Sequence, residues 1–292
     1  MTEKIRAGVI GLGAMGTPMA GHLASAGLLA MVWNRNRKKA QRFNRETGIS
    51  IAASPEQLAA ECNVILTCVS ADADLLDVIG QMLPGVQPGD VVCDFSTVAP
   101  ATARKVAASL AEMGAGFVDA PVSGGVEGAR KGTLSVMAGG DSANVSRIMP
   151  VLEAVSGTVT HMGPVGSGQA TKAVNQVIVA GTAEAVCEAL ALAEKLNLPS
   201  QRLLPVVSAG AAGSWFLQHR GQTMLDDEFN VGFKLSLLLK DLLICRELAQ
   251  DLDIFLPTVE AAIGDYSKLV ELGDGDHDIS GLIRLKRGVD RA

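Results

Sequence analysis

A lysine and an asparagine stand three residues apart in an otherwise apolar stretch of the chain, at Lys172 and Asn175. Residues with this spacing share one face of a helix. Desolvation lowers the pKa of an ammonium group toward neutrality, where the group can donate a proton. Lys172 is therefore a candidate acid–base catalyst. The alternative is a lysine whose stem packs along the helix while its charged head stays in water.

A glycine-rich loop near the N-terminus predicts a nucleotide site. A short apolar run over residues 5–10 leads into this loop, and a helical pattern over 17–26 and a strand pattern over 29–33 follow it. In such a strand, loop, helix and strand unit, Gly-x-Gly-x-x-Gly brings a dinucleotide pyrophosphate to the helix N-terminus. A turn without a ligand is the alternative. The predicted cofactor-binding residues in this loop are Gly11, Leu12, Gly13, Met15 and Gly16.

The residues after the second strand indicate which dinucleotide binds. NAD-binding folds usually place an acid there, which holds the ribose 2′-hydroxyl. This chain has Asn34 and Arg35 instead. A carboxylate at this position would repel a 2′-phosphate, but this chain has none there. Its guanidinium can pair with phosphate or stack on adenine. The sequence therefore predicts NADP rather than NAD, although a solvated helix start explains the cations at 37–39 equally well.

Strand and helix patterns alternate as far as residue 164, which predicts a Rossmann-type, doubly wound and mostly parallel sheet. Ligands of such sheets lie at the carboxyl ends of the strands. Two predicted strands end at Val69-Ser70 and at Ser96-Thr97, so we expect Val69, Ser70 and Thr97 to border the cofactor. The segment Ser123-Gly124-Gly125 can present backbone N–H groups to a carboxylate, or it can be a flexible connector.

The strand signal ends near residue 164, and a helical pattern then runs from about 168 to 196. We predict a dinucleotide-binding domain over residues 1–164, joined by this long helix to an all-helical domain over 165–292 for substrate binding and oligomerisation. Residues 235–244 are rich in leucine, and one side of a single domain could not cover so many apolar side chains. A homodimer or homotetramer through the helical domain is the expectation.

Composition excludes several other classes of protein. A net charge of −6 argues against nucleic-acid binding, and five scattered cysteines without a Cys-x-x-Cys pair argue against a disulfide framework or a zinc site. No metal is expected. Polar residues interrupt the most apolar stretch, residues 174–193, which favours a buried helix over a membrane span. No signal peptide pattern precedes the first strand, so we expect a cytoplasmic protein.

Several segments, taken in order along the whole chain, resemble the β-hydroxyacid dehydrogenase family. They are Gly11 to Ala20, Asp119 to Gly125, Gly132 to Gly140, Gly166 to Gln176, and Lys240-Asp241-Leu242. The resemblance implies NAD(P)-dependent interconversion of an alcohol and an aldehyde on a small acid.

The same resemblance implies roles for individual residues. The residue matching Lys172 is the general acid–base catalyst, the one matching Asn175 orients the substrate, and the loop matching 123–125 holds the substrate carboxylate. The match to Lys240 closes over nicotinamide and substrate, and the match to Thr97 touches the cofactor. Gln176 departs from the pattern, since many members have a second asparagine there.

Three readings of function follow. The leading one is an NADPH-linked reductase of tartronate semialdehyde, glyoxylate or succinic semialdehyde type. Gln176, Ala212-Gly213-Ser214 and Asn230-Val231-Gly232-Phe233 resemble tartronate semialdehyde reductases more than hydroxyisobutyrate dehydrogenases. Its rival among enzymes is an NAD-linked 3-hydroxyisobutyrate or serine dehydrogenase. A non-catalytic dinucleotide-binding scaffold is the alternative from another class, and the joint presence of Lys172, Asn175 and Lys240 argues against it.

Overall fold

The computed structural model describes residues 4–230 and 232–288. These residues form two compact units, the first ending at Lys172 and the second beginning at Ala173. The division falls inside one long helix, so a single element contributes residues to both units.

A sheet dominates the first unit. Its strands are β1 (Ala7–Ile10), β2 (Leu29–Trp33), β3 (Ser50–Ile51), β4 (Val64–Thr67), β5 (Val91–Asp94), β6 (Gly116–Asp119), β7 (Val122–Ser123), β8 (Leu134–Gly140) and β9 (Ser156–Gly163). They lie in the order β3-β2-β1-β4-β5-β6-β8-β7, and β9 pairs with β8. The pairings from β3 through to β6 are parallel, whereas β8 runs antiparallel to β6 and β7. The predicted doubly wound, mostly parallel sheet is confirmed.

Helices connect these strands. They are α1 (Gly16–Ser25), α2 (Arg37–Thr47), α3 (Pro55–Glu61), α4 (Asp72–Met82), α5 (Pro100–Glu112), α6 (Gly125–Lys131), α7 (Ser142–Arg147) and α8 (Met149–Val155). Alternate residues of each central strand face opposite sides of the sheet. In β4, Val64 and Leu66 join one apolar core while Ile65 joins the other. Both faces of the sheet are therefore buried, as a parallel sheet requires.

Two local predictions in this unit were wrong. The sequence pattern predicts one helix, capped by Asp141 and running to about Val155, whereas the structure interrupts it at Ile148, and Pro150 stands in the first turn of α8. Proline has no N–H to continue the hydrogen bonds of a preceding helix, so a new helix begins there. The alternative of a flexible connector after Val122 is also wrong, because the chain forms β7 and then α6.

The second unit is helical. It contains most of α9 (Ser167–Lys195), and then α10 (Ser200–Ser208), α11 (Trp215–Leu225), α12 (Leu235–Asp251), α13 (Pro257–Glu271) and α14 (Ile283–Lys286). The sequence pattern predicts a helix from Gly232 to about Leu252, but this helix begins three residues later, at Leu235. Gly232 has a φ of 81°, a left-handed conformation that cannot start a helix.

Helix α9 is long and apolar enough to cross a membrane when judged by length and composition alone, with a mean hydropathy of 1.5. Half of that apolar window is buried inside the protein. Ala180, Ala183 and Cys187 of α9 lie in the core of the second unit. Burial of this kind is what a core helix of a folded domain shows.

The leucine-rich segment of α12 does not form the exposed apolar face that we expected. Leu235, Leu238 and Leu242 are completely buried within the chain. Exposed apolar side chains of the second unit include Ile178 of α9 and Val206 of α10, at 65% and 68% exposure, and Phe255 after α12, at 81%.

Candidate active site

The loop between β1 and α1 has the backbone geometry that a pyrophosphate site requires. Gly11 has a φ of 103°, and a Cβ there would lie 2.2 Å from the Cys68 carbonyl oxygen. A Cβ on Gly16 would lie 1.9 Å from the Gly11 carbonyl oxygen. A Cβ on Gly13 would meet open space. Gly11 and Gly16 are thus needed for packing, while Gly13 leaves the backbone open to a ligand.

The N-terminus of α1 also suits an anion. Met15 occupies the capping position without any side-chain hydrogen bond to the first turn. The positive end of the helix dipole can therefore favour a phosphate at this position. Asn34 fixes the loop from the neighbouring strand, because its Oδ1 accepts from the Leu12 N–H at 2.7 Å. Two predicted cofactor residues, Leu12 and Asn34, thus contact each other.

Arg35 follows β2 on the protein surface. Its side chain is 80% exposed, and its guanidinium lies 2.9 Å from Oδ1 of Asp74 on α4. An exposed ion pair of this kind contributes at most about 1 kcal/mol to stability. Arg35 can therefore readily exchange the Asp74 carboxylate for another anion. The next three cations, residues 37–39, are exposed in the first turn of α2. The residues present at this end of the sheet fit an NAD(P) cofactor.

A buried carboxyl group organises the carboxyl ends of β4 and β5. Asp94 is fully buried, and its Oδ1 accepts from Thr67 Oγ1 at 2.7 Å and from Ser96 Oγ at 2.6 Å. Ser96 Oγ in turn accepts from the Val69 N–H at 2.9 Å. Burial raises the pKa of Asp94 to about 6, against the opposing effect of the Ser96 and Thr67 hydrogen bonds. Asp94 thereby holds Val69, a predicted cofactor residue, in place.

We expect Asp94→Asn to remove one component of the pH dependence of stability. A raised pKa means that the Asp94 carboxyl group binds its proton more tightly in the folded state than in the unfolded chain. Its contribution to stability is complete below the ordinary pKa of 3.8 and is lost as pH rises to about 6. One pKa unit corresponds to ~1.4 kcal/mol, so the loss is about 3 kcal/mol of unfolding free energy.

Denaturant unfolding of wild type and Asp94→Asn between pH 4 and 7 measures this loss. The variant can keep the Thr67 and Ser96 hydrogen bonds through its amide oxygen. Asp141→Asn, at an exposed carboxylate, is the control and should leave the wild-type slope intact. If the unfolding free energy of Asp94→Asn changed with pH in parallel with that of wild type, Asp94 would not titrate as described.

Gln169 joins the loop after β5 to the start of α9. This side chain is 2% exposed, accepts from the Val98 N–H at 3.2 Å and donates to the Ser96 carbonyl at 2.8 Å. The two contacted backbone groups stand on either side of Thr97. Gln169 therefore fixes the backbone around a residue that we expect to touch the cofactor.

Asp119 caps the first turn of α9. Its two carboxylate oxygens accept from the N–H groups of Gly166 at 2.7 Å and Gln169 at 2.8 Å. Burial raises the pKa of this carboxyl, and the two N–H groups work against that rise. Lys172 lies one turn further along the helix and is 8% exposed. The lysine thus stands on a helix whose origin is tied to the end of β6.

The predicted carboxylate-binding segment lies at the end of β7. Ser123 pairs with Ser135 of β8 and is half-buried, while Gly124 is exposed with a φ of 121°. Gly125 begins α6. An exposed backbone next to a half-buried hydroxyl is available to a ligand, and the carboxylate-binding role remains a prediction.

Within the second unit, two residues of α9 are linked to two residues of α12. Asn175 Nδ2 donates to Gln176 Oε1 at 2.8 Å, and Gln176 Nε2 donates to Asp241 Oδ2 at 2.6 Å. Lys240 Nζ lies 2.9 Å from Asp241 Oδ1. Gln176 and Asp241 are almost completely buried, at 1% and 3% exposure. Predicted residues Asn175 and Lys240 therefore belong to one polar network.

The sequence reasoning missed four of these residues, namely Asp94, Asp119, Gln169 and Asp241. A signal was available for two of them. Asp94 and Asp119 each end a run of apolar strand residues, at the edge where parallel sheets bind ligands. A carboxylate at the end of an apolar strand is buried with that strand. A buried carboxylate needs hydrogen-bond donors around it.

Comparison with known proteins decides the family. Residues 6–163 match the NAD binding domain of 6-phosphogluconate dehydrogenase, and residues 166–286 match the NAD-binding domain of NADP-dependent 3-hydroxyisobutyrate dehydrogenase. The chain belongs to the β-hydroxyacid dehydrogenase family. Members of this family are oxidoreductases that act on a CH–OH group with NAD(P), so the resemblance and the predicted enzyme class are confirmed.

Individual members of the β-hydroxyacid dehydrogenase family match over nearly the whole chain. The probable 3-hydroxyisobutyrate dehydrogenase-like 1 of Arabidopsis thaliana is 36% identical over 278 residues, which is 94% of this chain and 83% of that protein. The 2-hydroxy-3-oxopropionate reductase of Escherichia coli is 33% identical over 283 residues, 96% of each. The solved structure of Mycobacterium tuberculosis 3-hydroxyisobutyrate dehydrogenase with L-serine has a TM-score of 0.88 at 30% identity, covering 98% of this chain and 100% of that one.

Proposed function

We propose that this β-hydroxyacid dehydrogenase works as an NADPH-linked reductase of a small aldehyde acid, of tartronate semialdehyde, glyoxylate or succinic semialdehyde type. The observation that carries the proposal is the burial of Lys172 on a helix turn fixed by Asp119. The reductase from Escherichia coli, whose substrate 2-hydroxy-3-oxopropionate is tartronate semialdehyde, supports the substrate class.

The second candidate is NAD-linked oxidation of 3-hydroxyisobutyrate or serine. The Mycobacterium tuberculosis dehydrogenase with bound L-serine favours it. The two candidates share one reaction, run in opposite directions, and they differ in the preferred cofactor and in the side chain of the acid.

Reduction of an aldehyde needs a hydride at carbon and a proton at oxygen. The nicotinamide supplies the hydride when it is bound. Lys172 Nζ donates the proton to the aldehyde oxygen, which becomes the hydroxyl of the product. Asn175 orients the reacting group, and Ser123, Gly124 and Gly125 hold the carboxylate through the hydroxyl and backbone N–H groups. By the family resemblance, Lys240 would contact the nicotinamide and the substrate when both are bound.

The cofactor-binding residues in this proposal are the β1–α1 loop, Asn34, Arg35, Val69, Ser70 and Thr97. Arg35→Ala should lower the ratio of kcat/KM for NADPH to that for NADH by roughly tenfold, because a charge-assisted hydrogen bond to the 2′-phosphate is lost. Steady-state kinetics with both cofactors and one aldehyde acid measure the ratio.

Lys39→Ala removes an exposed cation from the same helix start and is the matched control. It should change the ratio less than Arg35→Ala does. A wild-type enzyme that prefers NADH, or an Arg35→Ala variant with the wild-type ratio, would show that Arg35 does not select the 2′-phosphate.

A panel of C2 to C4 aldehyde acids tests the proposed function. Glyoxylate, tartronate semialdehyde and succinic semialdehyde are each mixed with the enzyme and NADPH, while 3-hydroxyisobutyrate and serine are mixed with NAD⁺. Turnover of an aldehyde acid with NADPH is expected to be fastest. Faster oxidation of a hydroxy acid with NAD⁺ would favour the second candidate, and binding of cofactor without any turnover would favour the scaffold.

Self-association through the helical unit is also part of the proposal. An apolar groove of about 610 Å³ runs along α9 from Ile178 onward and along α10, and its lining includes Ile178, Leu192 and Leu196. These three side chains are 59% to 65% exposed. A second copy of the chain would cover them from water. Light scattering should give a dimer or tetramer at micromolar concentration, and a monomer would contradict this part of the proposal.

A further inference from the structure

We propose that Asp241, acting through Gln176, sets the orientation of the Asn175 amide and makes Gln176 a positioning residue for the substrate. The proposal rests on the proposed function only in taking Asn175 as the residue that meets the substrate. The contacts that carry it all lie within the second unit.

The Asp241 carboxylate determines the orientation of the Gln176 amide. An ionised carboxylate accepts hydrogen bonds and cannot donate them. Asp241 forms an ion pair with Lys240, whose Nζ lies 2.9 Å from Oδ1, and a carboxylate in an ion pair offers acceptors only. Gln176 lies 2.6 Å from the other oxygen, Oδ2. The glutamine must therefore turn its NH₂ group toward Asp241, and the reverse amide orientation would bring two acceptor oxygens together.

The orientation of the Gln176 amide determines its contact with Asn175. With its NH₂ group on Asp241, Gln176 presents Oε1 to Asn175, and an oxygen can only accept. Asn175 must then present its own NH₂ group, which is the 2.8 Å hydrogen bond observed. Amide orientation is otherwise ambiguous, because the oxygen and nitrogen of an amide have nearly the same shape. Here a charged group two links away removes the ambiguity.

The consequence concerns what Asn175 can offer to a substrate. One N–H of its amide is used by Gln176, which leaves Oδ1 as an acceptor and the second N–H as a donor, in fixed places. An acceptor oxygen can accept a hydrogen bond from the hydroxyl group of a hydroxy acid. If the amide turned over, the same position would present a donor, and binding of that hydroxyl would be lost.

Burial explains why this small network can be rigid. Gln176 and Asp241 are 1% and 3% exposed, so water cannot replace their hydrogen bonds cheaply. The length of the glutamine matters as well. An asparagine at 176 would be shorter by one methylene, about 1.5 Å, and would not reach both Asp241 and Asn175. The departure of Gln176 from the family pattern thus has a structural role in this chain.

The first test does not depend on turnover. Protein labelled with ¹⁵N on asparagine shows the side-chain amide of Asn175, assigned by its disappearance in Asn175→Ala. Gln176→Met keeps the length and removes both hydrogen bonds, and it should make this amide exchange with water roughly tenfold faster. Gln250→Met, an exposed glutamine of α12, is the control and should leave the exchange rate unchanged.

The second test is a double-mutant cycle on kcat/KM. Gln176→Met should lower kcat/KM roughly tenfold in the wild-type background and less than about twofold in the Asn175→Ala background, because it acts through Asn175. A merely structural role would give equal factors in both backgrounds. Thermal unfolding of all four proteins shows that each is folded.

These two tests distinguish failure of the positioning role of Gln176 from failure of the proposed function. Unchanged exchange of the Asn175 amide in Gln176→Met, or equal factors in the two backgrounds, would overturn the positioning role. Faster exchange together with no turnover of any acid by wild type would overturn the proposed function and support the link from Asp241 to Asn175.

Discussion

Lys172→Ala is expected to lose roughly 10²-fold or more in kcat while keeping its affinity for NADPH. General acid catalysis by a positioned side chain contributes about this factor, and no other proton donor is assigned to the aldehyde oxygen. The proposed dinucleotide site lies on other elements, namely the β1–α1 loop and the ends of β2, β4 and β5. Fluorescence titration with NADPH and steady-state kinetics on one aldehyde acid separate the two effects.

Two further variants make the interpretation specific. Lys172→Arg keeps a positive charge but cannot release a proton at neutral pH, so its kcat should fall nearly as far as that of the alanine variant. Lys195→Ala removes an exposed lysine from the end of the same helix and should behave as wild type. Near-normal turnover by either Lys172 variant would exclude this lysine as the acid.

Asp119→Ala is expected to destabilise the protein by about 3 kcal/mol and to lower kcat in the protein that remains folded. The change leaves the N–H groups of Gly166 and Gln169 without their acceptors in a buried place, and each such loss costs about 1–3 kcal/mol. The first turn of α9 directly precedes Lys172, so Lys172 should lose its fixed position. Denaturant unfolding measures the first effect, and kinetics below the unfolding midpoint measure the second.

Asp141→Ala is the matched control. Asp141 also caps a helix, since its side chain accepts from the Ala143 N–H at 2.8 Å, but it is exposed and belongs to the short helix α7. Loss of an exposed cap costs ~1 kcal/mol and should leave kcat unchanged. Equal effects of the two substitutions on stability would mean that the burial of Asp119 does not matter.

The sheet of the first unit could be predicted because its signals are local. Apolar runs of four to six residues alternate with helical patterns, and Gly11 and Gly16 mark the turn that a phosphate site requires. The helix from 168 to 196 was predicted within one residue at each end. Boundaries failed where one residue outweighed the pattern, as Pro150 does at the start of α8.

The network behind the site could not be predicted, because it depends on pairs that are distant in the sequence. Gln169 contacts Ser96 and Val98, and Gln176 contacts Asp241. Side-chain periodicity places each residue on a buried face without naming its partner. The same limit explains the leucine-rich part of α12, whose apolar residues suggested a subunit contact although the chain itself buries Leu235 and Leu238.

Transfer of deuterium tests the central claim most directly. NADPH carrying deuterium at C4 of the nicotinamide is incubated with the enzyme and tartronate semialdehyde, glyoxylate or succinic semialdehyde, and the hydroxy acid is analysed by mass spectrometry and NMR. The account predicts deuterium on the carbon that bears the new hydroxyl, formed by wild type and at least about 10² times more slowly by Lys172→Arg. Absence of labelled hydroxy acid with every aldehyde acid, from wild-type protein that binds NADPH, would contradict it.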